Sequence, residues 1–270
     1  MRRKGTEGMI SSTANPRVKH IVQLQKKARE RREQGLFVIE GRKMLEEVLR
    51  DAPEAVAELY VTEEYAAFPE QEKAISGIGY EIVSDEVMKV MADTMEPQGV
   101  LAAVRMPQYD KQRLLEREDA VWLALEDLRD PGNLGTILRT AEAAGVTGVI
   151  LSRNSVDMYN PKVVRSTMGA IFRVPHFYTE NFLAELSELK RGGACLYAAH
   201  LAGTQEYDMP AYAGKTVILI GNEAGGLSSA AAEAADCLVK IPMEGKAESL
   251  NAAVAAALLV YETYRRRRGV

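Results

Sequence analysis

Two cysteines, three histidines and one tryptophan in 270 residues leave little material for a metal or thiol site. Cys195 and Cys237 stand far apart without a CxxC pairing, and His20, His176 and His200 are equally scattered, so neither a zinc spacing nor an HExxH helix is present. No metal site is expected. Apolar runs are short too: none approaches the roughly 20 residues of a membrane span. The basic start, Met1-Arg-Arg-Lys-Gly-Thr-Glu-Gly8, has no apolar signal core behind it. A cytoplasmic chain without membrane contact is the expectation. The GK[ST] ending of a P-loop is absent, and no GxGxxG follows an apolar strand, which disfavours a P-loop nucleotide site and a doubly wound dehydrogenase.

What is present is globular in amount. Hydrophobic residues make up 47% and charged residues 27% of a chain long enough for two modest domains. The net charge of −4 conceals an asymmetry: residues 1–43 hold twelve Lys/Arg against four Glu, so that stretch is +8 and the remainder −12. A basic lobe on an acidic body fits a polyanion held at one end, with a solvated helix face as the plainer explanation.

Asn15-Pro16 turns into a helix that the pattern carries through the basic run to Gln34 and stops at Gly35. Short apolar strands follow at 36–39, 59–61, 80–83 and 100–104, with an amphipathic helix at 42–50, giving an α/β domain over 1–107. The polar stretch 108–119 reads as a linker. From 120 to 270 strands and helices alternate: strands at 120–126, 147–152, 194–200, 216–221 and 237–241, and helices at 133–144, near 161–169, and at 181–190, 228–235 and 249–267. Continuous apolar strands between helices imply a parallel sheet covered on both faces.

Three loops follow strands of this second unit: Glu126 to Arg139, Gly221-Asn-Glu-Ala-Gly-Gly226, and Ser249-Leu-Asn251. Ligands sit outside the carboxyl ends of parallel strands, so the loops are expected to converge. Taken alone, Asn133 reads as a helix cap and Arg139 as a surface charge. The glycine loop carries Glu223, which would repel a pyrophosphate resting on backbone N–H groups. A neutral or cationic ligand fits better. S-adenosylmethionine, a sulfonium without phosphate, meets that constraint, although the residues by themselves do not select it.

Asn133-x-Gly135-x-x-x-Arg139, Gly221-x-Glu223-x-x-Gly226-Leu-Ser228 and Ile241-Pro-Met243 with Ser249-Leu-Asn251 resemble motifs 1, 2 and 3 of the SpoU (TrmH-like) RNA ribose 2′-O-methyltransferases of the SPOUT superfamily. Leu36-Phe-Val-Ile-Glu-Gly-Arg42 and Gln98-Gly-Val-Leu-Ala102 resemble that family's L30e-like substrate-binding domain. One departure is Ala252-Ala253, where relatives often carry Val-Ser.

The resemblance implies a parallel-sheet SPOUT domain with a deep trefoil knot, a homodimer formed through it, and S-adenosyl-L-methionine as cofactor. Gly221, Ile241, Met243 and Leu250 would line the cofactor pocket; Asn133, Arg139, Glu223, Ser249 and Asn251 would form the catalytic group. Tyr159 to Gly169 resembles the stretch after motif 1 in which an arginine, here Arg165, faces RNA; Arg17, Lys19 and Arg42 of the basic lobe are the other RNA-binding candidates. The implied activity is methylation of a ribose 2′-hydroxyl in structured RNA. Ribosomal (23S) RNA is favoured over tRNA by the separate N-terminal domain, and a non-catalytic RNA-binding factor on the same fold is the other alternative. A guanidinium is a poor proton acceptor, so Arg139 is expected to stabilise the alkoxide or anchor a phosphate, and the proton to leave through Glu223, an RNA phosphate or water. The closing helix is expected to be buried, and Arg265-Arg-Arg-Arg268 to complement its dipole.

Overall fold

A computed structural model describes residues 8–269; Arg2, Arg3 and Lys4 of the basic lobe lie outside them. In chain order the elements are α1 (Pro16–Lys26), α2 (Ala28–Gln34), β1 (Leu36–Glu40), α3 (Arg42–Asp51), β2 (Val56–Val61), α4 (Glu63–Ala67), α5 (Pro69–Ile75), β3 (Glu81–Ile82), α6 (Asp85–Met91), β4 (Val100–Arg105), α7 (Lys111–Leu115), β5 (Val121–Leu125), α8 (Pro131–Ala143), β6 (Gly148–Ser152), α9 (Pro161–Thr167), β7 (His176–Thr179), α10 (Phe182–Arg191), β8 (Cys195–Ala199), β9 (Gln205–Glu206), β10 (Thr216–Ile220), α11 (Ser229–Ala234), β11 (Cys237–Lys240) and α12 (Ala252–Arg268). They gather into two compact units, whose described residues are 8–108 with 159–172 in the one and 109–158 with 173–269 in the other.

In the first unit a four-stranded sheet runs β1-β4-β2-β3, antiparallel except for the parallel β2–β3 pair. Val18, Ile21 and Leu24 of α1 and Val87, Met88 and Met91 of α6 bury against one face of it. The pattern suggests one helix from 16 to 34; the structure breaks it at Lys27, whose backbone is extended. The freed carbonyls of Leu24 and Gln25 accept from the Arg31 guanidinium at 2.6 and 3.0 Å. Arg31 is 4% exposed, so a charge counted with the basic lobe is spent on a buried helix end.

α9, placed by the strand–helix alternation in the second unit, belongs by its contacts to the first. Tyr159 packs on Phe37 of β1, and Arg165 pairs with Asp93 at 2.7 Å.

The second unit is the expected parallel sheet, with all seven strands aligned in the order β7-β6-β5-β10-β8-β11-β9. Every residue of β5, β6 and β10 is buried, as helices on both faces require. Trp122 anchors this core, and at Gly148 an added Cβ would stand 2.4 Å from its ring. After β5 the chain steps outward through β6 and β7; β10 later inserts between β5 and β8. That reversal of strand order makes the gap between β5 and β10 the switch point where ligands bind in open α/β sheets.

Residues 108–119 are more structured than the linker expected of them. They carry α7, whose Lys111 pairs with the buried Glu185, while Tyr109 stacks edge-on against His176 and Phe177. Among the described residues no helix is long and apolar enough to cross a membrane, and none form a group of three potential metal ligands.

Candidate active site

β5 and β10 end side by side, with Ile220 opposite Leu125, so the loops leaving them meet. The loop after β10 folds back at once: Asn222 and Gly226 exchange backbone hydrogen bonds at 2.9 Å each way. A Cβ at Gly221 would lie 2.0 Å from the Gly226 carbonyl carbon, which leaves glycine as the residue that lets this turn close. The Asn222 side chain holds the turn from within, accepting from Ala224 and Gly225 and donating 2.7 Å to the Asp127 carbonyl of the neighbouring loop. Glu126 ties the same two loops by accepting from the backbone N–H and hydroxyl of Ser228, both at 2.7 Å.

Glu223 is the junction. Its carboxylate accepts from the backbone N–H groups of Arg129 (3.1 Å) and Asp130 (2.9 Å) and from Nδ2 of Asn133 (3.0 Å). Burial pushes this carboxyl up, but the bonds from Asn133, Asp130 and Arg129 outweigh it and hold the group below its ordinary value. Asn133 in turn accepts, through Oδ1, a 2.8 Å bond from Nδ2 of Asn251. Asn251 completes the line by accepting from the N–H groups of Ala253 and Val254, which caps α12. Three residues, one from the first turn of α8, one from the loop after β10 and one capping α12, thus form one hydrogen-bonded chain.

Two local expectations are corrected. Asn133 is not the cap of α8: Asp130 takes that place, accepting from the Asn133 N–H at 2.8 Å. Pro131 supplies the first helical residue without losing a bond, and Asn133, one turn in, is free to face Glu223. Ser249 does not open the last helix, which begins at Ala252 behind the Asn251 cap.

Beside this chain lies a cavity of about 330 Å³. Gly221, Ile241, Met243, Ser249 and Leu250 line it with Glu223, and the cavity also takes in His200, Leu201 and Glu248, which sequence patterning did not single out. No Lys or Arg is among its lining residues. Arg139 is not brought to the cavity. It is exposed on α8 and, among the described residues, makes no hydrogen bond or ion pair.

The RNA-binding candidates are more heavily engaged. Arg17 pairs with Glu81 at 2.7 Å, Arg42 with Glu46 at 2.7 Å and Glu70 at 3.6 Å, and Arg165 with Asp93. Lys19 is exposed and has no such partner among the described residues. The terminal arginines do more than face the helix dipole: Arg265 and Arg266 flank Glu262, and Arg267 donates to the Tyr212 carbonyl and the Thr216 hydroxyl.

Residues 120–261 match the model of the SpoU rRNA methylase family, and residues 15–102 that of the MRM3-like substrate binding domain. The 23S rRNA (guanosine(2553)-2′-O)-methyltransferase RlmP of Bacillus subtilis is 34% identical over 252 residues, which cover 93% of this chain and 97% of that protein. The 23S rRNA (guanosine-2′-O-)-methyltransferase RlmB of Shewanella oneidensis is 30% identical over 86% of this chain and 98% of its own length. Among solved structures, an AdoMet-bound rRNA methyltransferase from Sinorhizobium meliloti matches with a TM-score of 0.84 at 30% identity, covering 96% of this chain and 98% of that one. A family model spanning more than half of the chain, and a relative aligned along nearly all of it, agree with the three converging loops: the chain belongs to the SpoU rRNA methylase family.

Proposed function

We propose that this protein transfers a methyl group from S-adenosylmethionine to a ribose 2′-hydroxyl of 23S ribosomal RNA. The observation that carries the reading is the chain Asn251–Asn133–Glu223 beside an apolar cavity. The cavity suits this cofactor: its volume falls at the lower end of small-molecule sites, and its charged side chains are the carboxylates Glu223 and Glu248. A cationic ligand without phosphate fits that field, and a polyphosphate does not. Gly221, Ile241, Met243 and Leu250 would hold it. When bound, S-adenosylmethionine supplies an electrophilic methyl group on a sulfonium.

This chain's residues supply position and electrostatics. Glu223 acts as an organiser rather than a base: both its oxygens accept hydrogen bonds, and a carboxylate held below its ordinary value takes up a proton poorly. It fixes the 129–130 turn and orients the Asn133 amide, which Asn251 locks from the other side. Arg139, exposed and without an ion-pair partner among the described residues, is a cation available to an RNA phosphate or to the developing alkoxide, and the proton then passes to phosphate or water. Ser249 adds a hydroxyl at the cavity wall.

The domain over 1–107 serves as the RNA-docking domain, and 120–270, with its knot, as the methyltransferase domain acting in the cytoplasm. A homodimer through the second unit completes the reading. α12 leaves Val254, Tyr261 and Tyr264 in an open groove with Thr136 of α8, three residues from Arg139; an apolar patch of this kind on a helix is a surface that association covers.

Mapping ribose methyls in ribosomal RNA from a strain lacking the protein tests the activity. Loss of one 2′-O-methyl, restored by the purified protein with S-adenosylmethionine, is expected; unchanged 23S RNA overturns the reading.

A further inference from the structure

His200 directly follows β8 and belongs to none of the three motifs, yet it lines the cavity. Its backbone N–H donates to the Val239 carbonyl of β11 at 2.9 Å, and its carbonyl accepts from Gly203 at 3.0 Å. The turn it opens is pressed onto β11, because a Cβ at Gly203 would stand 2.8 Å from the Lys240 nitrogen. The Ala202 N–H donates to Nδ1 of the ring at 3.1 Å. An imidazole nitrogen that accepts carries no proton, so the ring's hydrogen sits on Nε2. Among the described residues Nε2 has no partner. The imidazole is therefore a fixed donor whose tautomer is set by a backbone turn.

Position in the sheet indicates what it serves. β5 and β10 deliver Asn133 and Glu223 to one side of the cavity, while β8 lies on the far side of β10 from β5. There the ring neighbours Leu201, a cavity-lining side chain that is 69% exposed and offers an apolar face. A donor beside an open apolar side chain matches an aromatic heterocycle with its ribose: flat faces to cover, and ring nitrogens and hydroxyl oxygens to accept.

We propose that His200 is a cofactor-positioning residue, whose Nε2–H donates to an acceptor on the nucleoside part of S-adenosylmethionine, away from the end that reacts. The inference rests on the function proposed above, and the test separates the two. Binding of S-adenosylhomocysteine and of 5′-methylthioadenosine, which lacks the amino-acid end, is measured by calorimetry for the full chain and for His200→Phe and His200→Gln. One neutral hydrogen bond corresponds to about fivefold to tenfold in affinity. His200→Phe is expected to weaken both ligands by that factor alike, and His200→Gln, which keeps a donor at the ε position, to restore both.

Wild-type protein that binds neither ligand overturns the proposed function itself. Wild-type binding that His200→Phe leaves intact, or a loss confined to S-adenosylhomocysteine, overturns the role of His200. Should the phenylalanine variant not fold, the Nε2–H resonance of His200 in the wild type decides: it shifts on adding 5′-methylthioadenosine if the role is right, and an unmoved resonance overturns it.

Discussion

The rim of the cavity and the basic helices of the first unit both concentrate polar side chains, yet the rim joins residues far apart in sequence, whereas several partners in the helices are one turn apart, as Arg29–Glu33 and Lys27–Gln23 are. Asn133 shares one hydrogen bond with Glu223, 90 residues away, and another with Asn251, 118 residues away. In the first unit Arg17, Arg42 and Arg165 each face a carboxylate of their own, and Arg31 is buried against carbonyls. Motif spacing specifies geometry, because each residue must reach a fixed partner. A count of charges specifies none, since surface ion pairs and helix ends absorb cations at little gain in stability. Among the described residues the first unit therefore presents fewer free cations than its composition promises.

Substitutions in the second unit should give the largest effects. Arg139→Ala is expected to lower the methyl-transfer rate by about 10²-fold to 10³-fold while leaving the calorimetric affinity for S-adenosylhomocysteine intact. Arg139→Lys should recover little of that loss if the planar fork is needed; a rate near wild type would leave the arginine a charge and nothing more. Next in size is Gly221→Ala. The new methyl has backbone rather than a flexible side chain in its way, so the turn must open, at a cost of about 1–3 kcal/mol in denaturant stability and with loss of cofactor binding.

Asn251 separates the two duties of one side chain. Asn251→Ala removes a cap worth about 1 kcal/mol and leaves Asn133 Oδ1 without its donor, so melting temperature and activity fall together. Asn251→Asp keeps the cap and loses the donor; its melting temperature should stay near wild type while its activity falls. Wild-type activity in Asn251→Asp would mean that the bond to Asn133 does not matter.

Acid sharpens the comparison further. The Glu223 carboxyl titrates below its unfolded value, so its contribution is present at neutral pH and lost as pH falls through the folded value. The stability advantage of wild type over Glu223→Gln, read from urea midpoints, should therefore shrink below the ordinary carboxylate range. The smallest effects belong to the first unit. Lys19→Ala should weaken RNA binding a few-fold and reduce the salt slope by about one phosphate's worth. Arg165→Ala should change stability more than that slope, and the reverse result would make Arg165 an RNA contact after all.

Much of this was legible in the residues. The apolar runs 121–125, 148–152 and 216–220 are too continuous for a half-exposed sheet, and the three motif loops sit where parallel strands end. What escaped was decided by tertiary partners. β7, His-Phe-Tyr-Thr, is a short edge strand whose assignment depends on pairing with β6; β9 is two residues long. Asp130 and Asn133 are both good caps, and choosing between them requires knowing that Glu223 claims the second. The break at Lys27 has no glycine or proline to announce it, because a guanidinium four residues later satisfies the carbonyls. Glu126 and Asn222, which bind the two loops together, look like ordinary loop residues until β10 is placed beside β5.

The Asn251 cap has a consequence for how the site can be watched. The amide protons of Ala253 and Val254 are protected from solvent by the same side chain that steadies Asn133, so their exchange with deuterium is a gauge of the chain's integrity. The first turn of the last helix is a built-in reporter for the rim, readable without substrate, without cofactor and without turnover.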